Sequence, residues 1–316
     1  MIIPVDLDEI RTFVAIARMR GFGRAAAALH RSQPAISRRI ELLEHELGAP
    51  LFERVRGGVL LTDAGAALLP YAEAMLAAAR DGAEAVEELR GGNAGRISLA
   101  LVGTLANASL TRLLGAFNQR YPKVRLDIQT ATSQQVGELV QRGEANLGLR
   151  YVVDSRPGLV SEIVANEALV VVARAGHPLA DGREHAAREL AGERWVGFRG
   201  TREAFVQFFQ RRLLAAGLED PEIIPIDSLT AQKRLVEAGF GVAQIAASNL
   251  EEELRLETLR VLDVPALRAS VPVSVVYRRN SYLSAAARNL LAAIKAAGQD
   301  SAPAPVKRRG GGRRRA

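Results

Sequence analysis

Apolar residues over the first ninety positions recur at three- and four-residue spacing, and beyond them come short apolar runs alternating with helical stretches. The chain therefore reads as a helical head followed by an α/β body. Leu7, Ile10, Phe13, Val14 and Ala17 predict an amphipathic helix over 7–19, ended by Gly21 and Gly23. Ala25, Ala26, Ala27 and Leu29 predict a short second helix whose small side chains permit close approach. His30 and Arg31 form a turn, Ser32 caps a third helix from Gln33, and Pro34 sits in its first turn, where a missing N–H costs nothing. Ile36, Ile40, Leu43 and Leu47 face inward, and Gly48 stops that helix. Leu51–Phe52 and Val59–Leu61 flank Arg54-Val55-Arg56-Gly57-Gly58, which predicts a hairpin with basic residues near its tip.

Thr62 can cap a further helix over 63–90, where Leu68, Ala72, Met75, Ala79, Val86 and Leu89 form a stripe suited to a partner helix, broken at Gly82. Pro70 lies about two turns inside and is expected to kink it. A glycine-rich break follows at 91–95, and the period changes. Ile97, Leu99 and Leu101 predict a strand, Leu110 to Phe117 a helix, Val124, Leu126 and Ile128 a strand, Val136 to Val140 a helix, and Leu147 to Leu149 a strand. That order is βαβαβ, an open parallel sheet. A second set follows, with strands at 168–173, 195–198, 223–226, 242–245 and 259–264 and helices at about 201–216 and through Val236. A last long strand over 270–277 and a helix over 283–297 are expected to return to the first lobe.

The length of 316 residues suits two or three domains. No cysteine is present, which excludes disulfides, thiolate nucleophiles and cysteine metal sites. No apolar run is long enough to span a bilayer, and MIIPVDLDEIR places acids where a signal peptide needs bases, so a cytoplasmic location and no membrane partner are expected. Six of the seven net positive charges are Lys307, Arg308, Arg309, Arg313, Arg314 and Arg315, leaving +1 for the remainder. That tail, residues 299–316, reads as disordered by composition.

Charge matters more by place than by sum. No acid falls between Glu9 and Glu41, a window that holds Arg11, Arg18, Arg20, Arg24, Arg31, Arg38 and Arg39 and forms an electrostatic footprint for phosphate. Inward packing of the third helix leaves Gln33, Ala35, Ser37, Arg38 and Arg39 near its amino-terminal outer surface. Amide and guanidinium groups there can pair with adenine or guanine edges in a major groove. Reading two half-sites requires two copies, so the stripe over 63–90 is read as a dimer contact.

In the body, ligands are expected beyond the carboxyl ends of strands, against helix amino termini. That rule selects Gly103-Thr104, Thr132-Ser133, Arg150-Tyr151 and the run Phe198, Arg199, Gly200, Thr201, Arg202. Hydroxyls and arginines together favour a small anion, foremost a carboxylate held by guanidinium groups. Thr104, Thr132 and Ser133 have a plainer reading as helix caps, and Arg199 and Arg202 as surface residues.

SQPAISRRIELLEHELGAPLFER followed by LTDAG resembles the winged helix-turn-helix of the LysR-type transcriptional regulators, without a gap over the first 65 residues. The resemblance implies an α/β protein with an N-terminal winged helix-turn-helix (1–62), a linker and dimerisation helix (63–92) and a two-lobed, periplasmic-binding-protein-like effector domain (93–298). Lobe I would hold about 93–165 and 267–298, and lobe II about 166–266. It further implies that Ser32, Gln33, Pro34, Ser37 and Arg38 face double-stranded DNA, that Arg31 and Arg39 lie near phosphates, and that Arg54 and Arg56 belong to the wing. Thr104, Thr132 and Arg150 are first choices for the effector pocket, with Ser133, Phe198, Arg199 and Arg202 beside them. A homotetramer, built by dimers through the linker helix and by effector-domain contacts, is implied as well. RNA polymerase is a further partner compatible with that role. No cofactor or metal is implied. The chain departs from the family at Gly23, where many members carry Ser or Thr, and at Ile245-Ala246-Ala247, where Leu-Pro is common.

Other readings stay open at this stage. The four histidines, His30, His45, His177 and His185, fall in no catalytic pattern, and neither G-x-S-x-G, a P-loop nor H-E-x-x-H occurs, which leaves an enzyme only carboxylates to work with. A solute-binding module would explain the body but not the head. A nonspecific DNA-compacting protein would explain the tail, and would bind every sequence alike with steep salt dependence.

Overall fold

The computed structural model describes residues 6–91, 95–198 and 204–300. Its head opens with helix α1, Leu7–Met19, closed at its start by a capping box between Asp6 and Glu9. The first helix keeps its expected bounds of 7–19, and the turn that stops it falls on Arg20 rather than on a glycine. Arg20 takes the left-handed turn at φ 51°, while Gly21 is the N-cap of α2, Phe22–Ala28, and Gly23 lies inside it. Helix α3 is Gln33–Leu47, with the Ser32 hydroxyl accepting from the Ala35 N–H at 3.4 Å and Gly48 left-handed at φ 69°. Strands β1, Phe52–Val55, and β2, Gly58–Leu61, pair antiparallel as the wing.

Ile10, Phe13, Ile16, Ile36 and Leu43 are fully buried in the head, each worth about 1.5–3 kcal/mol of burial. The Phe52 ring joins the wing to that core, 5.3 Å from Phe13 and 5.9 Å from Phe22. Gly65 secures the junction with the next helix, because a Cβ there would strike the Leu51 carbonyl oxygen.

Helix α4, Asp63–Gly91, begins where the Thr62 hydroxyl accepts from the Gly65 N–H at 3.1 Å and donates to the Pro50 carbonyl at 2.6 Å. It runs unbroken past Pro70, whose exposed position lets water serve the carbonyl that lacks a donor. The expected stripe divides. Leu68 and Ala72 pack into the head, whereas Met75, Ala79, Val86 and Leu89 stay exposed and Tyr71 joins them.

The remaining face of α4 is polar and grips the body. Glu73 pairs with Arg142 at 3.0 Å, Asp81 with Arg278 at 2.6 Å, Arg80 donates to the Arg142 carbonyl at 3.0 Å, and Glu88 accepts from the Ala285 N–H at 2.8 Å.

In the body, β3 (Arg96–Val102), α5 (Ala108–Arg120), β4 (Arg125–Ala131), α6 (Ser133–Gln141) and β5 (Leu147–Tyr151) follow the expected order, with β3 parallel to both β4 and β5. Next come β6 (Leu159–Arg174), β7 (Trp195–Phe198), α7 (Ala204–Ala215), β8 (Ile223–Ile226), α8 (Leu229–Glu237), β9 (Ala243–Ala246), α9 (Glu251–Arg255), β10 (Leu259–Leu262), β11 (Ala269–Arg278) and α10 (Ala285–Asp300). The sheet is mixed rather than parallel throughout. β11 runs antiparallel to β5 and β6, and β9 and β10 are antiparallel to β6. β6 begins nine residues before the apolar run that announces it, and its two halves serve different sets. The first pairs only with β11, and the second also meets β9 and β10. The long strands β6 and β11 thus cross between two lobes, with the parallel pair β7 and β8 in the second. Among the described residues no helix is long and apolar enough to cross a membrane.

One buried histidine braces the second lobe. His185 Nδ1 lies 3.0 Å from Glu189 Oε2 and Nε2 2.9 Å from Asp181 Oδ1, and these hydrogen bonds, Glu189 first, raise its pKa above the usual histidine value against a smaller effect of burial. A raised folded pKa means that stability from this clamp is complete below about pH 6.5 and is lost as pH rises through the folded value. The melting temperature should fall over that interval in the wild type and change less in His185→Gln, as read by thermal melts from pH 6 to 9. Parallel curves would remove the clamp from the stability account.

Candidate functional site

The outer surface of the head is built by α3. Packing of Ile36, Ile40 and Leu43 fixes its rotation, so Ser32, Gln33, Pro34, Ala35 and Arg38 are exposed and Ser37 and Arg39 half-buried. Gln33 stands beside α2, its Oε1 3.5 Å from where a Gly23 side chain would begin. Arg31 and Arg39 reach back to Asp8 of α1, at 3.9 and 3.1 Å. Their charge is partly compensated by an acid just outside the acid-free window. Arg38 has no such ion pair among the described residues. In the wing, Arg56 occupies the exposed turn before Gly57 (φ 100°), while Arg54 lies within β1 opposite Val59, with its guanidinium 5.8 Å from the Phe22 ring centre. One exposed surface therefore offers a helix start carrying Gln33 and Arg38 and a flanking basic hairpin, the arrangement needed to enter a major groove and touch the adjoining backbone.

Between the lobes of the body lies a cavity of about 640 Å³. Thr104, Thr132, Ser133 and Phe198 line it, as does Tyr151, whose phenol accepts the Thr104 hydroxyl at 3.0 Å and is held neutral by burial. Two nine-residue helices begin at its wall. Thr132 caps α6 in a capping box with Gln135, and Ser228 caps α8 by accepting from the Ala231 N–H at 3.4 Å. The first-turn N–H groups of both give the cavity positive potential at each lobe.

Arg150 is not brought to this cavity. It lies on the opposite face of β5 from Tyr151, because successive strand residues point to opposite sides. There it is buried and ion-paired with Asp154, which Arg156 also holds at 2.9 Å. Gly137 makes room on α6 for this cluster, since a Cβ would collide with Asp154 and Arg156. Arg199 and Arg202 lie outside the described residues, as does the tail from 301. Among the described lining residues the one charged side chain is that of Asp227.

Several wall residues escaped the sequence reading: Gln135, Asp227, Ser228, Thr230, Gln232, Gln244 and Asn249. The strand-end rule would have found Asp227 and Ser228, which directly follow β8, had it been applied there. Gln232 sits one turn further on in α8, and Gln244 lies within β9, where no sequence signal marks it. A polar cluster ties the two lobes together beside the cavity. Glu167 of β6 accepts from Asn107 at 3.0 Å and from Ser248 at 2.6 Å, and burial raises its pKa. Asn249 donates to the Thr104 carbonyl at 2.9 Å.

Helix α6 links this cavity to the head. Its first turn carries Thr132 and Ser133, and beyond its last turn Arg142 pairs with Glu73 of α4 and Glu144 with Arg18 of α1, whose other nitrogen reaches Glu73 at 3.2 Å.

Residues 7–66 match the family described as "Bacterial regulatory helix-turn-helix protein, lysR family", and residues 90–299 match the "LysR substrate binding domain". The sequence is 32% identical to the RuBisCO operon transcriptional regulator of Allochromatium vinosum, covering 90% of this chain and 93% of that protein. It is 30% identical to the HTH-type transcriptional regulator CbbR of Rhodospirillum rubrum, covering 93% and 97%. Among solved structures, CbnR, described as a LysR family transcriptional regulator, aligns with a TM-score of 0.64 at 25% identity, covering 93% of this chain and 99% of that one. Full-length CbnR complexed with its target DNA aligns at 0.62 and 26%, covering 94% and 100%. With both halves matched in order and the head built to meet a DNA groove, the chain belongs to the LysR family of DNA-binding transcriptional regulators and is not an enzyme.

Proposed function

We propose that this regulator controls a RuBisCO operon in the cytoplasm, reading its promoter with α3 and the wing and responding to a small anion held between the lobes of the body. The observation that carries the target is the 32% identity, end to end, with the RuBisCO operon regulator of Allochromatium vinosum. In this reading Gln33 and Arg38 contact base edges, and Ser32, Pro34 and Ser37 sit against the groove. Arg31, Arg39, Arg54 and Arg56 serve phosphates. The anion is held by Thr104, Thr132, Ser133 and the first-turn N–H groups of α6 and α8, with Phe198 covering it. No role is left for Arg150, and carboxylate and phosphate are equally suited to such N–H groups. A footprint on a RuBisCO promoter tests the target. Protection there, absent on an equal length of coding DNA, supports it, and equal affinity for both contradicts it.

Dimerisation through α4 is supported by its exposed Tyr71, Met75, Val86 and Leu89, a stripe too large to be left in water without cost when each buried side chain recovers about 1.5–3 kcal/mol. Val86→Glu with Leu89→Glu should shift the protein toward monomer in analytical ultracentrifugation, with loss of operator affinity. An unchanged mass would assign the stripe no such role. Four copies, through further contacts of the body, complete the assembly in this reading.

Transmission from cavity to head is ascribed to α6 and the Arg18, Glu73, Arg142 and Glu144 cluster at its far end. Exposed ion pairs are worth little for stability, about 0–1 kcal/mol, so Arg18→Ala should fold and bind ligand normally. Its expected defect is a smaller ligand-dependent change in DNA affinity, measured by fluorescence anisotropy. A full response in Arg18→Ala would assign transmission elsewhere.

A further inference from the structure

The arginines of the acid-free window do not all keep their charge for DNA. Arg11, Arg31 and Arg39 share Asp8, at 3.2, 3.9 and 3.1 Å, and Arg18 is held by Glu73 and Glu144. Arg24 is engaged by the backbone, donating through Nε to the Met19 carbonyl at 2.6 Å and through Nη2 to the Arg20 carbonyl. Arg20 and Arg38 remain, both exposed and neither in an ion pair among the described residues. Arg38 belongs to the base-reading face of α3, and Arg20 is left on the turn between α1 and α2.

That turn is joined to both parts of the DNA face. The wing packs on it through Gly58, where a Cβ would lie 2.7 Å from the Arg20 carbonyl oxygen, and Gly21 leaves room for the Arg24 guanidinium, 3.1 Å from where a Cβ would begin. Three residues beyond Arg20, Gly23 stands beside Gln33 at the start of α3. Arg20 therefore lies between the base-reading helix and the wing turn that carries Arg56. The acid of β1, Glu53, alternates to the opposite face of the strand from Arg54, whose guanidinium lies over Phe22 of α2. The backbone adds a second observation. Arg20 takes φ 51°, a left-handed turn that suits glycine and is uncommon for a long side chain, although Gly21 stands next to it in extended backbone at φ 176°. Glycine at position 20 would make this turn with less strain, so the turn itself gives no reason for an arginine. We infer that Arg20 is a further DNA contact, a guanidinium on a backbone phosphate between α3 and the wing, with Arg24 fixing the turn that presents it. This rests on the reading of α3 and the wing as the DNA face given above.

Arg20→Gly separates a contact from a turn, since it removes the guanidinium and suits the left-handed backbone. Its melting temperature should not fall below that of the wild type. Its binding to a random-sequence duplex, measured on the full chain by fluorescence anisotropy between about 50 and 200 mM salt, should weaken by roughly threefold or more at the low-salt end, and the slope of log K against log salt should flatten by about 0.9 per head. The same loss is expected on a RuBisCO promoter fragment, because a phosphate contact carries no sequence information. Arg20→Lys keeps the charge and should keep the wild-type slope. Arg56→Ala serves as the reference for the DNA face. If Arg56→Ala flattens the slope and Arg20→Gly leaves affinity and slope unchanged, the inference is overturned and the DNA face stands. If neither variant changes the slope, the wing's part in that face falls together with the inference. Equal flattening by Arg20→Gly and Arg20→Lys would also overturn it, because charge at position 20 would then not be the cause.

Discussion

Arg150→Met is expected to destabilise the protein by about 3 kcal/mol while leaving the ligand affinity of the folded fraction unchanged. Arg150 and Asp154 are both buried, and removing one member of a buried pair leaves the other charge with part of its compensation gone. Arg156 remains on Asp154 at 2.9 Å, which keeps the loss near the lower end of what a broken buried pair costs. Burial alone would raise the pKa of Asp154. The hydrogen bonds from Arg156 and the charges of Arg150 and Arg156 outweigh it and hold the carboxyl below the usual aspartate value. A depressed folded pKa contributes stability above the unfolded value of about 3.9 that is lost as pH falls through the folded one. The gap between wild type and Arg150→Met should accordingly narrow below about pH 4, as read by urea unfolding at a series of pH values. A variant of normal stability that no longer binds ligand would return Arg150 to the cavity.

Gln33→Ala and Arg38→Ala should each lose roughly 1–3 kcal/mol of operator affinity and relax the preference at one base pair if, as proposed, the Gln33 amide meets a base edge with one donor and one acceptor and the Arg38 guanidinium with two donors. Arg39→Ala is expected to behave differently. Arg39 also ties α3 to Asp8 of α1, so its loss should weaken binding to all sequences alike, with a small change in stability. Selection from randomised operators separates these outcomes. If all three variants lose the same affinity on operator and on random DNA, α3 does not read sequence.

The head was legible almost residue by residue because its signals are local: apolar spacing, the Ser32 cap, Pro34 in the first turn and Gly48 beyond the last. The first helix has the bounds its spacing predicts, although Arg20 rather than Gly21 adopts the left-handed turn usually left to glycine. The long helix was visible as an element, but half of its stripe faces the head. Spacing identifies apolar faces without saying which one another part of the same chain covers.

In the body, the first half of β6 mixes polar and apolar residues and draws its identity from pairing with β11, which no local pattern reveals. The strand-end rule selected Arg150 and Tyr151 together, although alternation allows only one of two neighbours to face a given side. Tyr151 is the one that does. Gln232 and Gln244 could not have been chosen from sequence. Their place in the wall is set by tertiary contacts, through Nε2 bonds to the Val196 and Leu267 carbonyls.

Binding of the full-length wild type to a RuBisCO promoter fragment, compared with the Gln33→Ala, Arg38→Ala double variant and repeated with a saturating small anion, tests the central claim most directly. The account predicts specific protection that the double variant loses and that the ligand alters in extent or spacing. Protection retained by the double variant, or a footprint indifferent to a ligand shown by calorimetry to be bound, would contradict it.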